Sequence, residues 1–357
     1  MKFCEKCLNP ISEKNEFSIQ VISEELLADP RDWIIGYSGG KDSSTVLALV
    51  LESLRRTRSD KTVTIVYCDT GVEIPLVNEY VYTVFNNLTE ECKLFNINVQ
   101  IKVAKPKLED TFFVKVIGRG YPSPTNKFRW CTDRLRINPI KQMIPDDTNV
   151  TVLLGVRKGE SIERDRTITK HSTDGIYRYK QVGNSNVSIF SPIIDYSTRD
   201  VWETLKHSKF PQSIDYQVLG ELYRSAGAEC PVIKDPKGSA CGKGRFGCWT
   251  CTVVRQDSAV TLLIEQGYEN LRPLLKFRNW LYLARDNPKF RCKKRRNLQP
   301  GLGPLTLSAR EIILEKLLEA QNVSKIKLIT QAEIDLIQEL WKKDKNSMSY
   351  LHIEKCH

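Results

Sequence analysis

The chain has no apolar run approaching the roughly 20 residues that a bilayer span requires; its longest obvious one is Val46–Leu51. Its charged start, MKFCEK, contains no apolar leader, so neither a membrane span nor a secretory signal is expected. No internal repeat or low-complexity tract is present, which excludes a solenoid or a linker-rich array. With 41% apolar residues the composition is neither disordered nor collagen-like. Complete disulfide pairing is also excluded, because eleven cysteines cannot all be joined within one chain. A secreted disulfide scaffold is disfavoured, and a cytoplasmic protein that uses thiols as metal ligands or reactive groups is expected.

A length of 357 residues suggests two domains, or three small ones. Buried β-rich runs at Asp32–Tyr37, Thr62–Cys68, Asn98–Ala104, Asn149–Leu154 and Val187–Ile194 alternate with helical stretches at Ser44–Leu54, Leu76–Leu94 and Leu108–Ile117. This alternation predicts an α/β fold with a doubly wound, mainly parallel sheet. The expected organisation is an N-terminal helical extension over 1–30 and a nucleotide domain over 31–225. A cysteine segment with basic helices follows over 226–300, then a helical region over 301–357. Helical spacing marks Val260–Ala284, Leu307–Ala320 and Gln331–Lys343.

After the first strand, Ser38, Gly39, Gly40, Lys41, Asp42 and Ser43 lie between a buried strand and a helix N-terminus. Free backbone amides and the helix dipole favour an anion there. Two glycines let the backbone wrap a phosphate chain, Lys41 can neutralise it, and the serines can donate hydroxyl hydrogen bonds. A Walker A loop is excluded: its first glycine would fall at Ile35, and Asp42 follows Lys41. The motif SGGKDS resembles the pyrophosphate loop of ATP pyrophosphatases, which split ATP between its α and β phosphates. Beyond the second strand, Asp69 and Glu73 are candidates to hold magnesium or nucleotide at the carboxyl edge of the sheet. Gly155, Arg157, Glu160, Ser161 and Arg164 follow another strand. They resemble the Gly-x-Arg-x-x-x-Ser segment of the phosphoadenosine phosphosulfate reductase superfamily, in which arginines meet phosphate.

The formal charge of +11 is concentrated in two places. Lys105 to Lys141 holds nine Lys or Arg against three acids, interleaved with Tyr121, Phe128 and Trp130; Lys289–Arg296 places six positive charges in eight residues. Such patches suit a polyanion, with phosphate contacts from Lys127 and Arg129 and possible base stacking. Cys131 lies inside the first patch. Arg129, Arg134 and a helix N-terminus are expected to lower its thiol pKa. Cys230, Cys241, Cys248 and Cys251 have the spacing of a four-thiolate metal site, and spacing alone leaves zinc and an iron–sulfur cluster both open.

Four segments together, YSGGKDSSTVLALV, EDTFFVKVIGRGYPSPTNKFRWCTDRLRINP, SPIIDYSTRDVW and ECPVIKDPKGSACGKGRFGCWTCTVV, resemble the DndC family of DNA phosphorothioation sulfurtransferases within that superfamily. The resemblance implies ATP with Mg2+, a 4Fe–4S cluster on Cys230, Cys241, Cys248 and Cys251, and a family cysteine at the position of Cys131. It also implies DNA as substrate, a cysteine desulfurase as sulfur source and other phosphorothioation subunits as partners, with no membrane. Lys41, Asp42, Cys131 and Arg157 are the expected catalytic residues. Ser38, Gly39, Gly40, Lys41, Asp42, Ser43, Asp69, Gly155 and Arg157 are expected to bind nucleotide. Cys4, Cys7, Cys356 and His357 fit no family position, and could meet in a small zinc site. Alternatives are a phosphoadenylyl sulfate reductase-like enzyme, a tRNA thiolation enzyme and a non-catalytic nucleic-acid-binding defence subunit.

Overall fold

A computed structural model of the chain describes residues 10–144, 148–159, 166, 177–181, 184–227 and 246–346. Six strands, β1 (Asp32–Tyr37), β2 (Val63–Cys68), β3 (Val99–Ala104), β4 (Val150–Leu153), β5 (Arg178–Gln181) and β6 (Asn184–Phe190), form one sheet in the order β3-β2-β1-β4-β6-β5. All neighbours are parallel except β5, which pairs antiparallel with β6 at the edge. This is the doubly wound α/β sheet expected from the alternation of elements. Chain order reverses between β1 and β4, so the crevice beyond their carboxyl ends is the switch point where such sheets bind ligands.

The central strand β1 is apolar on both faces, as a covered parallel sheet requires. Trp33, Ile35 and Tyr37 enter one core with the helices α1 (Pro10–Ala28), α2 (Lys41–Thr57) and α3 (Pro75–Leu94), whereas Ile34 faces a smaller cluster with Val66, Ala104, Val150 and Val187. A further large core joins Phe112–Ile117 and Trp130 to the helices Ser258–Glu265, Arg272–Arg285, Leu307–Ser324 and Gln331–Asn346. Among the described residues no helix is long and apolar enough to cross a membrane.

Three elements differ from the expectation. Leu108–Ile117 is not one helix but a 3-10 turn, Leu108–Asp110, followed by a π turn, Val114–Gly118. Phe112, Phe113, Val114, Val116 and Ile117 are buried in succession rather than along one stripe, Leu108 stays exposed, and Lys115 turns back to Asp110 at 2.5 Å. Val260–Ala284 is two helices, broken around Gly267 and restarted at Arg272 with Pro273 in the first turn. The last strand ends at Phe190 rather than Ile194, where Ile194 N donates to Ser191 O in a turn.

One buried carboxylate ties several elements together at the amino end of the sheet. Asp29 accepts from Arg31 Nε at 2.7 Å, Trp33 Nε1 at 3.2 Å on β1, Thr151 Oγ1 at 2.6 Å on β4 and Arg178 Nη2 at 3.1 Å on β5. Burial opposes the charge, but the hydrogen bonds from Arg31, Thr151 and Arg178 outweigh it and hold the carboxyl far below the usual range. The stability contributed by a carboxylate depressed in this way is fully present above its ordinary pKa of about 4, and is lost as pH falls toward the folded value. Asp29→Asn is therefore expected to cost about 2–4 kcal/mol at neutral pH. Urea unfolding followed between neutral pH and pH 3 should show the difference from wild type shrinking on acidification.

Candidate functional site

The glycine loop leaves β1 and enters α2 at the switch point. Gly39 adopts φ +73°, and a Cβ there would lie 2.3 Å from Val81 Cγ2, so only glycine fits. Gly40 is the helix N-cap and supplies no side-chain cap to the first turn. Ser38 and Ser43 hydroxyls lie 3.1 Å apart, Ser38 N donates to Ser43 Oγ at 3.2 Å, and Ser43 Oγ donates to Gly40 O at 3.0 Å. These bonds fix the turn of the loop.

Lys41, Asp42 and Arg157 converge on this loop. Lys41 Nζ is 2.7 Å from Asp42 Oδ2. Arg157 Nε forms an ion pair with Asp42 Oδ1 at 2.7 Å. Both cations are about 95% buried, at 5% exposure each. Arg157 Nη1 also donates to Tyr196 O at 3.4 Å and Thr198 Oγ1 at 3.3 Å, which orients it. Two buried cations around one carboxylate, at a helix N-terminus, make a site whose fixed charge favours an anion. Gly155 lets β4 approach: a Cβ would lie 2.7 Å from Asp42 C and 2.9 Å from Ser43 N.

Tyr223 and Tyr82 also belong to the site, and nothing in the local sequence marks them. Tyr223 Oη accepts from Lys41 N at 3.1 Å, and its ring lies 5.7 Å from Lys41 Nζ. Tyr82 Oη donates to Asp69 Oδ2 at 2.8 Å, while Gly71 N donates to Asp69 Oδ1 at 3.0 Å. Glu73 accepts from Thr70 N at 3.1 Å and Thr70 Oγ1 at 2.6 Å. Burial pushes the Glu73 carboxyl above its usual range. Each acid also faces a cation from another segment: Lys105 Nζ lies 3.5 Å from Asp69 Oδ2, and Arg136 Nη2 lies 3.9 Å from Glu73 Oε1.

The cysteine segment reaches the sheet through this same loop. Trp249 N donates to Val72 O at 2.9 Å, and Glu73 and Cys248 form an antiparallel bridge. Cys248 Sγ lies 3.8 Å from Thr70 Oγ1 and 3.8 Å from Arg136 Nη2. Cys251 N donates to Cys248 O at 3.0 Å, the tight turn that two chelating cysteines need. Cys230 and Cys241 lie outside the described residues, as do Glu160, Ser161, Arg164, Cys4, Cys7, Cys356 and His357. Among the described residues no group of three or more Cys, His, Asp or Glu side chains is gathered for a metal. Two thiols on a tight turn, with a guanidinium and a hydroxyl facing one sulfur, nonetheless fit an anionic thiolate–metal group.

The thiol of Cys131 does not have the expected lowered pKa. Burial pushes it up and the nearby Cys251 adds to the rise. Arg129 is turned to Asn126 Oδ1 at 3.0 Å, and Arg134 lies 3.8 Å from Asp110. Arginines outside the two basic runs are likewise used within the fold. Buried Arg278 donates to Cys251 O at 2.8 Å and Arg255 O at 2.8 Å; Arg285 donates to Pro124 O at 3.0 Å and Thr252 O at 2.9 Å. Lys127, Arg129, Lys293, Arg295 and Arg296 remain exposed.

Residues 32–254, more than half of the chain, match the phosphoadenosine phosphosulfate reductase domain family. The chain belongs to that family. A phosphoadenosine 5'-phosphosulfate reductase of Xylella fastidiosa is 27% identical over 164 residues, which are 46% of this chain and 60% of that one. An uncharacterized protein of Methanocaldococcus jannaschii is 28% identical over 186 residues, 52% of this chain and 33% of that one. The chain thus spans only part of the length of these relatives, a third in one case. Among solved structures, the U34-tRNA thiolase NcsA of Methanococcus maripaludis with its [4Fe-4S] cluster is similar at TM-score 0.35 and 14% identity, covering 67% of this chain and 87% of that one. Phosphoadenylyl-sulfate reductase of Candida auris, in a phosphate complex, is similar at TM-score 0.37 and 13% identity, covering 59% and 90%.

Gly155→Ala is expected to destabilise the protein by about 1–3 kcal/mol, because a methyl group would press on backbone that cannot turn aside. The midpoint of urea unfolding reads this directly, and an unchanged midpoint would mean that the seam between β4 and α2 is loose.

Proposed function

We propose that the chain is an ATP-dependent sulfurtransferase that activates a DNA backbone phosphate by adenylylation, so that sulfur replaces a non-bridging oxygen. The observation that supports it most is the attachment of the cysteine segment to the Asp69–Glu73 loop, through Trp249 N to Val72 O at 2.9 Å. Thiols therefore stand beside the edge of the sheet where the glycine loop would hold ATP.

In this reading Ser38, Gly39, Gly40 and Ser43 wrap the phosphates of ATP, while Lys41 and Arg157 neutralise them and Asp42 holds both cations in place. Asp69 and Gly155 shape the nucleotide edge, and Mg2+ accompanies ATP. A non-bridging oxygen of the phosphodiester attacks the α-phosphorus; a P–O bond forms, the α–β bridge breaks, and pyrophosphate leaves with the bonding pair. Positive groups aimed at the departing pyrophosphate lower that barrier. A persulfide on Cys131, charged by a cysteine desulfurase, then attacks the activated DNA phosphorus, and AMP departs with the oxygen. A second thiol attacks the Cys131 sulfur and frees the phosphorothioate, leaving a disulfide that a cellular dithiol reduces. A 4Fe–4S cluster on Cys230, Cys241, Cys248 and Cys251 would supply redox or sulfur-binding chemistry. The exposed cations Lys127, Arg129, Lys293 and Arg295 would meet the DNA backbone.

A second reading, reduction of phosphoadenylyl sulfate, is favoured by the family match over residues 32–254. Anaerobically purified protein separates the two: sulfite release from phosphoadenylyl sulfate with a dithiol supports the reductase, and DNA-dependent pyrophosphate release from ATP supports the sulfurtransferase. Lys41→Ala should abolish pyrophosphate release, and wild-type release by that variant would overturn the loop assignment. Mass spectrometry of digested nucleic acid from cells with and without the gene should find phosphorothioate dinucleotides; thiolated nucleosides instead would point to tRNA.

A further inference from the structure

The two basic runs, far apart in sequence, meet on one aromatic ring. The run Lys289–Arg296 is not a helix end: from Arg291 it forms one arm of a hairpin, bridged Arg291 to Leu305 and Lys294 to Pro300. The returning arm docks on the first basic segment, where Leu305 N donates to Gly120 O at 2.7 Å. Arg296 donates to Arg119 O and places its guanidinium 5.2 Å from the centre of the Tyr121 ring. Tyr121 lies nearly parallel to Phe128, with an interplanar angle of 15° and 6.4 Å between centroids.

Phe128 is the more exposed of the two rings, with 45% of its surface exposed. It is not a loose tip. Phe128 N donates to Thr125 O at 3.2 Å and Thr125 N to Phe128 O at 3.2 Å, and the Thr125 hydroxyl accepts from Phe128 N at 3.1 Å. Its neighbour Trp130 is turned inward, stacked on Phe112 at 24° with Nε1 donating to Pro122 O at 3.0 Å. The core therefore takes Trp130 and leaves Phe128 out, fixed by a short turn and flanked by the exposed cations Arg119, Lys127, Arg129 and Arg296. A lone exposed phenylalanine needs no explanation. One held in a closed turn, stacked on an aromatic ring that also carries a guanidinium and surrounded by positive charge, has the attributes of a nucleobase platform: a π face for the base and cations for the adjoining phosphates.

We infer that Phe128, Tyr121 and Arg296 form a stacking site for one unpaired nucleobase, so that nucleic acid is engaged through a single-stranded or everted nucleotide rather than as an undistorted duplex. This rests on the nucleic-acid reading given above, and it places a specific local demand on the substrate: a base must leave its stack.

Fluorescence anisotropy with a labelled single-stranded DNA and its matched duplex tests the site, using the full chain. Wild type should bind the single strand more tightly than the duplex. Phe128→Ala and Phe128→Leu should each weaken single-strand binding about tenfold, whereas Phe128→Trp should retain it. The salt dependence should be unchanged in all three, because no charge is altered. Lys127→Gln with Arg295→Gln should instead flatten the salt dependence for both probes. Quenching of 2-aminopurine in the single strand by wild type, lost in Phe128→Leu, would report the ring contact itself. Equal single-strand affinity of wild type and Phe128→Leu, with wild-type binding intact, would overturn the platform alone. Failure of wild type to bind either probe would overturn the platform together with the nucleic-acid reading.

Discussion

The close approach of two backbones sets the geometry of the candidate site. Where β4 ends, Gly155 presses against the carbonyl carbon of Asp42 and the amide of Ser43, with no room for a side chain. That contact brings the segment after β4 onto the first turn of α2, and only then can Arg157 reach Asp42 from across the switch point. Asp42 in turn holds Lys41. Three charges from two separate stretches of chain are thus fixed by a contact in which none of their side chains takes part. Tyr223 completes the arrangement from a third stretch by accepting the Lys41 amide hydrogen.

A similar economy governs the cysteine side of the molecule. The basic composition suggests a surface property, yet Arg278 and Arg285 are buried and donate to carbonyls at Cys251, Thr252, Pro124 and Arg255. A guanidinium has five donors in a planar fork, so one side chain can satisfy several carbonyls of an irregular loop that no sheet or helix would pair. These arginines hold the cysteine turn as a regular element would. Exposed positive charge, by contrast, is presented by Lys293, Arg295 and Arg296 on the hairpin from Arg291 to Leu305 and by Lys127 and Arg129 on the turn that carries Phe128.

Much of the sheet and its glycine loop was legible in the sequence because it is written in local patterns. Buried runs, helical spacing and the run SGGKDS lie within short windows, and β1, β2 and β3 fall within a residue of where those patterns put them. The rest depends on contacts across the chain. Tyr223 and Tyr82 carry no local mark, and their roles exist only once distant helices have packed. The edge strand β5, Arg178–Gln181, is short and polar and has no apolar alternation to betray it. Cys131 shows the same limit from the other side: neighbouring arginines in sequence suggested an activated thiol, but the folded chain directs those arginines to Asn126 and Asp110 and leaves the sulfur to burial.

The Asp29 node gives the fold a mechanical polarity. One carboxylate at the amino end of the sheet grips β1, β4 and β5 together, while the glycine loop, the Asp69–Glu73 loop and the cysteine turn all gather at the carboxyl end. The sheet is riveted at its base and open at its rim. Loops at the rim can lengthen, exchange partners or be replaced without loosening the strands beneath, so the rim is free to vary on a frame that stays the same.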